Sequence, residues 1–124
     1  MKTNEMATGE INILVVEDEQ GLVELFEIWL GDTYNVTTAT SGEAARQLLD
    51  ESIDVVILDW RLPDCSGEDI VTYMQENGFE ASIAVVTGAE PNDGHLSPRV
   101  DLVLQKPIAR EELHDGIELL LSKQ

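Results

Sequence analysis

The chain has 124 residues, 43% of them hydrophobic, which favours one globular domain with a modest core over a disordered chain. Its 25 acidic and 7 basic residues give a formal net charge of −18, which argues against binding to nucleic acid or to an anionic membrane. No apolar run approaches the roughly 20 residues that span a bilayer, and the first ten residues lack the apolar segment of a signal peptide. A single cysteine, Cys65, has no partner for an internal disulfide, so a cytoplasmic location is expected.

The excess of acidic residues has two explanations. One is an acidic docking surface for a basic partner. The other is a halophilic adaptation to a salty cytoplasm, where the Debye length shrinks to roughly 3 Å at 1 M salt and self-repulsion is weakened. We favour the second explanation, because the acids are spread along the whole chain.

The first half of the chain predicts two strands and two helices. Residues 11–17, INILVVE, form a continuous apolar run rich in β-branched residues, which is typical of a strand buried on both faces. A helix that ends near Gly31 is predicted next, and a weaker strand, YNVTTA, follows it. The segment TSGEAARQLLDE predicts a second helix, opened by a capping box between Thr40 and Glu43. Five apolar residues at helical spacing define the first helix: Leu22, Leu25, Phe26, Trp29 and Leu30.

The second half predicts two buried strands, DVVILD and SIAVVT, a last strand, DLVLQ, and two helices. The helix in SGEDIVTYMQENG has Ser66 as its N-cap and Gly78 as its C-terminal stop. A closing helix after Pro107 has four apolar residues on one face: Leu113, Ile117, Leu120 and Leu121. Because strands alternate with helices, we expect an α/β fold with a doubly wound, five-stranded parallel sheet, strand order 2-1-3-4-5, and helices on both faces. Residues 1–9 are expected to form a flexible tail and residues 10–124 the domain.

Polar residues follow four of the predicted strands. In such a sheet, ligands bind beyond the carboxyl ends of the strands, where the strand order reverses. Three carboxylates brought together there repel one another, so a cation must share the site. Hard oxygen ligands suit Mg²⁺, and a lysine supplies a second positive charge. The residues are Glu17 and Asp18 after the first strand, Asp59 at the end of the third, Thr87 at the end of the fourth and Lys106 after the fifth.

This set of residues suits phosphoryl transfer. The metal and the ammonium group would neutralise the oxygens of the moving phosphoryl group while a carboxylate attacks in line, and the product would be an aspartyl phosphate. Each residue type is common at a strand end, but their joint occurrence at four strand ends favours a functional site. His95 and His114 have no Cys or His partner at a metal-ligand spacing and are expected on the surface. Cys65 lies in a polar turn without a paired histidine, so a nucleophilic role is not expected.

Five segments resemble the receiver domain of two-component response regulators: ILVVEDE, TSGEAARQLL, VVILDWRLPDCSG, IAVVTGA and LVLQKP. The resemblance covers residues 10–121, and Pro63 and Gly67 match the turn after the acceptor. It implies that Asp59 accepts a phosphoryl group from a sensor histidine kinase or a phosphotransfer protein. Such a domain is not an enzyme, although it assists its own phosphorylation and dephosphorylation, and it switches conformation to control an unknown output partner or effector domain.

The resemblance also implies roles for the other residues at the strand ends. Glu17 and Asp18 would hold Mg²⁺, with Asp18 the more direct ligand, and Arg61 would offer its backbone carbonyl to the metal. Thr87 would bind a phosphoryl oxygen and report phosphorylation. Lys106 would pair with the phosphoryl group.

Two features depart from the family pattern, although the bond before Pro107 is expected to be cis as in the family. The aromatic residue often found three positions before the lysine is Val103 here, which is expected in the core. Lys106 follows Thr87 by 19 positions, and the segment GAEPNDGHLSPR between them breaks helices, so the fourth helix of the family is expected to be shortened or replaced by a loop. We expect phosphorylation to order or shift the loop of residues 90–99 rather than to rotate a ring.

Three other functions remain as alternatives. A flavodoxin-type cofactor binder would need a phosphate cradle after the first strand, where this chain has EDEQ, which repels phosphate. A phosphatase of the haloacid dehalogenase type would need Asp-x-Asp there, where the run is Glu17, Asp18 and Glu19. A receiver that serves only as a protein-interaction module would not need the complete set of acid, hydroxyl and lysine.

Overall fold

The computed structural model of the chain describes residues 10–88 and 97–123. Within these ranges the elements alternate as the sequence predicts, with helices between parallel strands. The strands are β1 (Asn12–Val16), β2 (Asn35–Ala39), β3 (Val55–Asp59), β4 (Ser82–Thr87) and β5 (Leu102–Gln105). The helices are α1 (Gln20–Leu30), α2 (Gly42–Leu48), α3 (Gly67–Glu76) and α4 (Arg110–Ser122).

The five strands form one parallel sheet in the order β2-β1-β3-β4-β5, as predicted. Val16 at the end of β1 pairs with Leu58, and the next residue of β3, Asp59, pairs with Val86. The strand order reverses between β1 and β3, because the chain moves outward to β2 first and then crosses back. The loops after β1 and β3 therefore leave the same edge of the sheet side by side.

Each face of the sheet is covered by two helices, which confirms the doubly wound arrangement. On one face α2 and α3 pack on alternate residues of the central strands, and on the other face α1 and α4 pack on the residues between them. Val103, predicted in the core, is partly buried against the α2–α3 face. Among the described residues, no helix has the length and apolar content that crossing a membrane requires.

The predicted helix ends are correct for α3 and wrong by one residue for α2. Ser66 and Asp69 form a capping box at the start of α3, and Gly78 follows its end with a φ of 72°. The N-cap of α2 is Ser41 rather than Thr40, because the Ser41 hydroxyl accepts the Ala44 N–H. The predicted box places Glu43 one residue too early to reach back to the cap.

Two predictions fall between β4 and β5. The described residues on either side of residues 89–96 contain no helix, and the loop of residues 90–99 lies mostly outside the described ranges, as do His95 and the predicted tail of residues 1–9.

His114 is half-buried rather than on the surface: its Nε2 lies 2.8 Å from the Trp29 carbonyl oxygen, at the end of α1.

Candidate functional site

The residues predicted from the strand ends meet at the carboxyl edge of the sheet. In the described part of the chain only Glu17, Asp59 and Thr87 are buried polar or charged residues, at 1%, 7% and 5% exposure. Asp18 follows Glu17 directly and is exposed. Charged groups are rarely buried without a partner, so this concentration at one edge marks a site rather than ordinary surface.

Three carboxylates form a cluster at this edge. One oxygen each of Glu17, Asp18 and Asp59 lies within 4.8 Å of the others. Backbone groups fix two of them: the Glu19 N–H donates to Glu17 Oε2 at 3.2 Å, and the Arg61 N–H donates to Asp59 Oδ1 at 3.1 Å. The acids are therefore held close together despite their mutual repulsion.

Burial and repulsion both act on this cluster. Burial, followed by the nearby Asp59 charge, raises the pKa of Glu17 to about 7. Burial also raises the pKa of Asp59, although the Arg61 N–H and the Lys106 ammonium partly oppose that shift. The cluster is thus short of positive charge, which a bound cation would supply.

Lys106 provides one positive charge. Its Nζ lies 3.2 Å from Glu17 Oε1 and 3.7 Å from Asp59 Oδ2. Burial alone would lower the pKa of Lys106, but Glu17 and Asp59 outweigh it and the net shift is upward. Its backbone N–H donates to the Thr87 carbonyl at 2.8 Å, and the following peptide bond, to Pro107, is cis as the resemblance implies.

A single lysine does not satisfy the three acids. Glu17 Oε1 faces Lys106 Nζ, yet it accepts no hydrogen bond and is buried. A buried carboxylate beside two other carboxylates, with one lysine between them, is a donor set for a hard cation such as Mg²⁺.

A cavity of about 290 Å³ opens beside the cluster. It is lined by Asp59, Arg61, Thr87, Gly88 and Lys106. This volume exceeds the space of a few water molecules, and the carboxylate, hydroxyl and ammonium groups are at its walls. The cavity can therefore admit a small anionic group to the Asp59 carboxylate.

Residues 13–118 match the family model described as the response regulator receiver domain. The chain belongs to this family. It is a receiver domain of the two-component response regulators. The match decides against the flavodoxin-type and phosphatase alternatives.

Curated relatives of this receiver domain are longer proteins. A protein of Haloferax volcanii that carries the name of a transcriptional regulator is 35% identical over 118 residues, which are 94% of this chain and 20% of that protein. The response regulator SaeR of Staphylococcus aureus is 31% identical over 116 residues, which are 90% of this chain and 51% of SaeR. The chain thus spans about half of one relative and a fifth of the other.

Solved receiver structures have the same fold. A response regulator receiver domain from Clostridium thermocellum superimposes with a TM-score of 0.82 at 27% identity, covering 91% of this chain and 95% of that one. The response regulator TrrA from Thermotoga maritima, solved with Mg²⁺ and BeF, has a TM-score of 0.78 at 29% identity, covering 89% of this chain and 98% of that one.

Some contacts of this receiver site have no signal in the sequence. The Glu19 N–H that holds Glu17 is a backbone group, which any residue except proline would supply at that position. The family resemblance marks Gly67 but not the reason for it, which is that a Cβ there would overlap the Trp60 ring in the folded loop. The contact between Asp64 and Gly42, described below, also joins distant parts of the chain.

Proposed function

We propose that Asp59 is the phosphoacceptor of this receiver domain. The observation that carries the proposal is the setting of its carboxylate, which is buried at the end of β3, 3.7 Å from Lys106 Nζ and open to the cavity. The Asp59 carboxylate would attack the phosphorus of a phosphohistidine in line. A phosphorus–oxygen bond forms as the phosphorus–nitrogen bond breaks, and the departing imidazole keeps the electron pair and takes a proton from solvent.

The acid cluster is proposed to hold Mg²⁺. Glu17, Asp18 and Asp59 would contribute carboxylate oxygens, and Arg61 would contribute its backbone carbonyl. The complex of the related TrrA with Mg²⁺ and BeF supports this assignment. When bound, the metal supplies positive charge that offsets the oxygens of the transferring group.

Thr87 and Lys106 are proposed to hold the phosphoryl group after transfer. The Thr87 hydroxyl, at the wall of the cavity, would donate to a phosphoryl oxygen. Lys106 would shift from Glu17 toward the new dianion, since Nζ already lies between the two acids. These two movements would report phosphorylation to the rest of the domain.

The donor is proposed to be a sensor histidine kinase or a phosphotransfer protein, as expected for a receiver. The output would come from a partner or an effector domain, and the longer relatives support this view. We further propose that residues 10–124 constitute the domain, that it acts in the cytoplasm, that it turns over no other substrate and that it does not itself contact nucleic acid. Its charge of −18 supports the last point.

Incubation with acetyl phosphate tests the proposal without the kinase. The wild-type chain should gain the mass of one phosphoryl group in the presence of Mg²⁺ and none in EDTA. Asp59→Asn should gain none under either condition, because the amide is not a nucleophile. Failure of the wild-type chain to gain the group would favour the remaining alternative, a receiver that serves only as an interaction module.

A further inference from the structure

A single side chain ties the loop between β3 and α3, residues 60–66, to a neighbouring helix. The Asp64 carboxylate accepts the Gly42 N–H on Oδ1 at 2.8 Å and the Glu43 N–H on Oδ2 at 3.0 Å. Both donors are in the first turn of α2, 22 and 21 residues away in the chain. These bonds lower the pKa of Asp64, with the Gly42 bond the larger cause, so the carboxylate is charged at neutral pH.

The α2 side of this contact is shaped to receive the loop. A Cβ on Gly42 would overlap the Cys65 Sγ and would lie 3.2 Å from Asp64 Oδ1. A residue with a side chain at position 42 would therefore push the tip of the loop away from α2. The fit depends on both partners, the carboxylate on the loop and the missing side chain on the helix.

The other end of the same loop is at the acid cluster. The Arg61 N–H donates to Asp59 Oδ1 at 3.1 Å. Hydrogen bonds across the loop join its two arms: Arg61 forms an antiparallel bridge with Ser66, and the Leu62 N–H donates to the Cys65 carbonyl at 3.1 Å. Because the arms are joined, a shift at the tip is carried to Arg61.

We infer that Asp64 is a positioning residue, which holds this loop against α2 so that the backbone groups of Arg61 face Asp59 and the metal proposed beside it. Asp64 itself contacts neither Asp59 nor the proposed metal. The inference rests on the proposed function where the metal is concerned. It adds α2 to the parts of the domain that respond to the site.

Magnesium affinity measured by calorimetry on the full chain tests the inference. Asp64→Ala should weaken Mg²⁺ binding about tenfold, at the lower end of the effect of residues that support a metal ligand. Asp64→Asn keeps an oxygen that can accept the Gly42 N–H, so its Mg²⁺ affinity should fall less. Gly42→Ala, which displaces the loop from the other side, should weaken binding as Asp64→Ala does.

The matched control is Glu68→Gln. Glu68 is an exposed acid in the first turn of α3, and its side chain makes no hydrogen bond or ion pair with other described residues. This variant removes one negative charge near the same loop and should leave the affinity unchanged. A loss as large as that in Asp64→Ala would mean that charge, not position, sets the affinity, and would overturn the inference.

Hydrogen exchange provides a second test, because its response to Mg²⁺ would be absent if Asp64 were only a stabilising helix cap. Mg²⁺ should slow amide exchange at Gly42 and Glu43 in the wild-type chain, and this response should vanish in Asp64→Ala. If Asp64→Ala does not fold, Asp64→Asn and the wild-type exchange response carry the test.

The outcomes separate the two proposals. A wild-type chain that does not bind Mg²⁺ overturns the proposed metal site and this inference with it. A wild-type chain that binds, together with Asp64 and Gly42 variants that bind equally tightly, overturns the inference alone and leaves Asp64 as a helix cap.

Discussion

The acids at the carboxyl edge of the sheet and the acids of the outer surface are the same residue types in opposite settings. Burial raises the pKa of Glu17 and Asp59. Hydrogen bonds lower the pKa of the exposed Asp50, mainly from the Ser52 hydroxyl, and that of Asp64. The edge acids therefore oppose folding when charged, whereas the exposed ones favour it locally and oppose it only through long-range repulsion.

This difference means that the two sets should respond to different cations. Long-range repulsion between exposed charges is screened by any salt. The buried cluster instead needs an ion that enters it and takes oxygen ligands, as Mg²⁺ does.

The largest expected effect concerns the surface acids. With a net charge of −18, the folded chain should become markedly more stable as KCl rises into the molar range, because screening relieves self-repulsion. Thermal melts over a KCl series measure this gain in stability. The same series at about pH 4, where many carboxyl groups are protonated, is the control, and the melting temperature should change much less there. A melting temperature that does not change with KCl at neutral pH would favour the explanation that the acids form a docking surface for a basic partner.

The next effect concerns the edge acids and Mg²⁺. At a concentration 100 times its dissociation constant, an ion that binds only the folded state adds about 2.7 kcal/mol to the free energy of unfolding. Asp18→Ala should weaken Mg²⁺ binding more than Glu17→Ala, because Asp18 is exposed whereas Glu17 is already paired with Lys106. Urea unfolding at constant ionic strength measures both variants, and the reverse order would show that the two acids have exchanged roles.

The smallest effect is on the metal-free protein. Glu17→Gln should raise its free energy of unfolding by about 1 to 2 kcal/mol, because it removes a buried charge that Asp59 repels. Glu24→Gln, which changes an exposed acid in α1, is the matched control and should stay within about 0.5 kcal/mol of wild type. A Glu17→Gln protein less stable than wild type would mean that the ion pair with Lys106 outweighs the repulsion.

Much of the fold was predictable because its signals are local. Buried strands and amphipathic helices repeat within a few residues, and their alternation leads to the parallel order that brings Asp59 beside Glu17. The α2 cap was misplaced because Thr40 and Ser41 are adjacent hydroxyl residues, and only the backbone decides which one faces Ala44 N–H.

The remaining contacts depend on how distant segments pack. His114 approaches the Trp29 carbonyl only because α1 and α4 cover the same face of the sheet. The bond between Asp64 and Gly42 likewise needs the β3–α3 loop to reach α2. Neither pairing follows a spacing that a single sequence could reveal.

The most direct test of the central claim is to locate the phosphoryl group. After reaction with acetyl phosphate and Mg²⁺, borohydride reduces an aspartyl phosphate to homoserine, and peptide mass spectrometry finds its position. We predict homoserine at position 59 alone, with none in the Asp59→Asn chain. Homoserine at position 18, 54 or 64, or phosphoryl uptake without any homoserine, would contradict it.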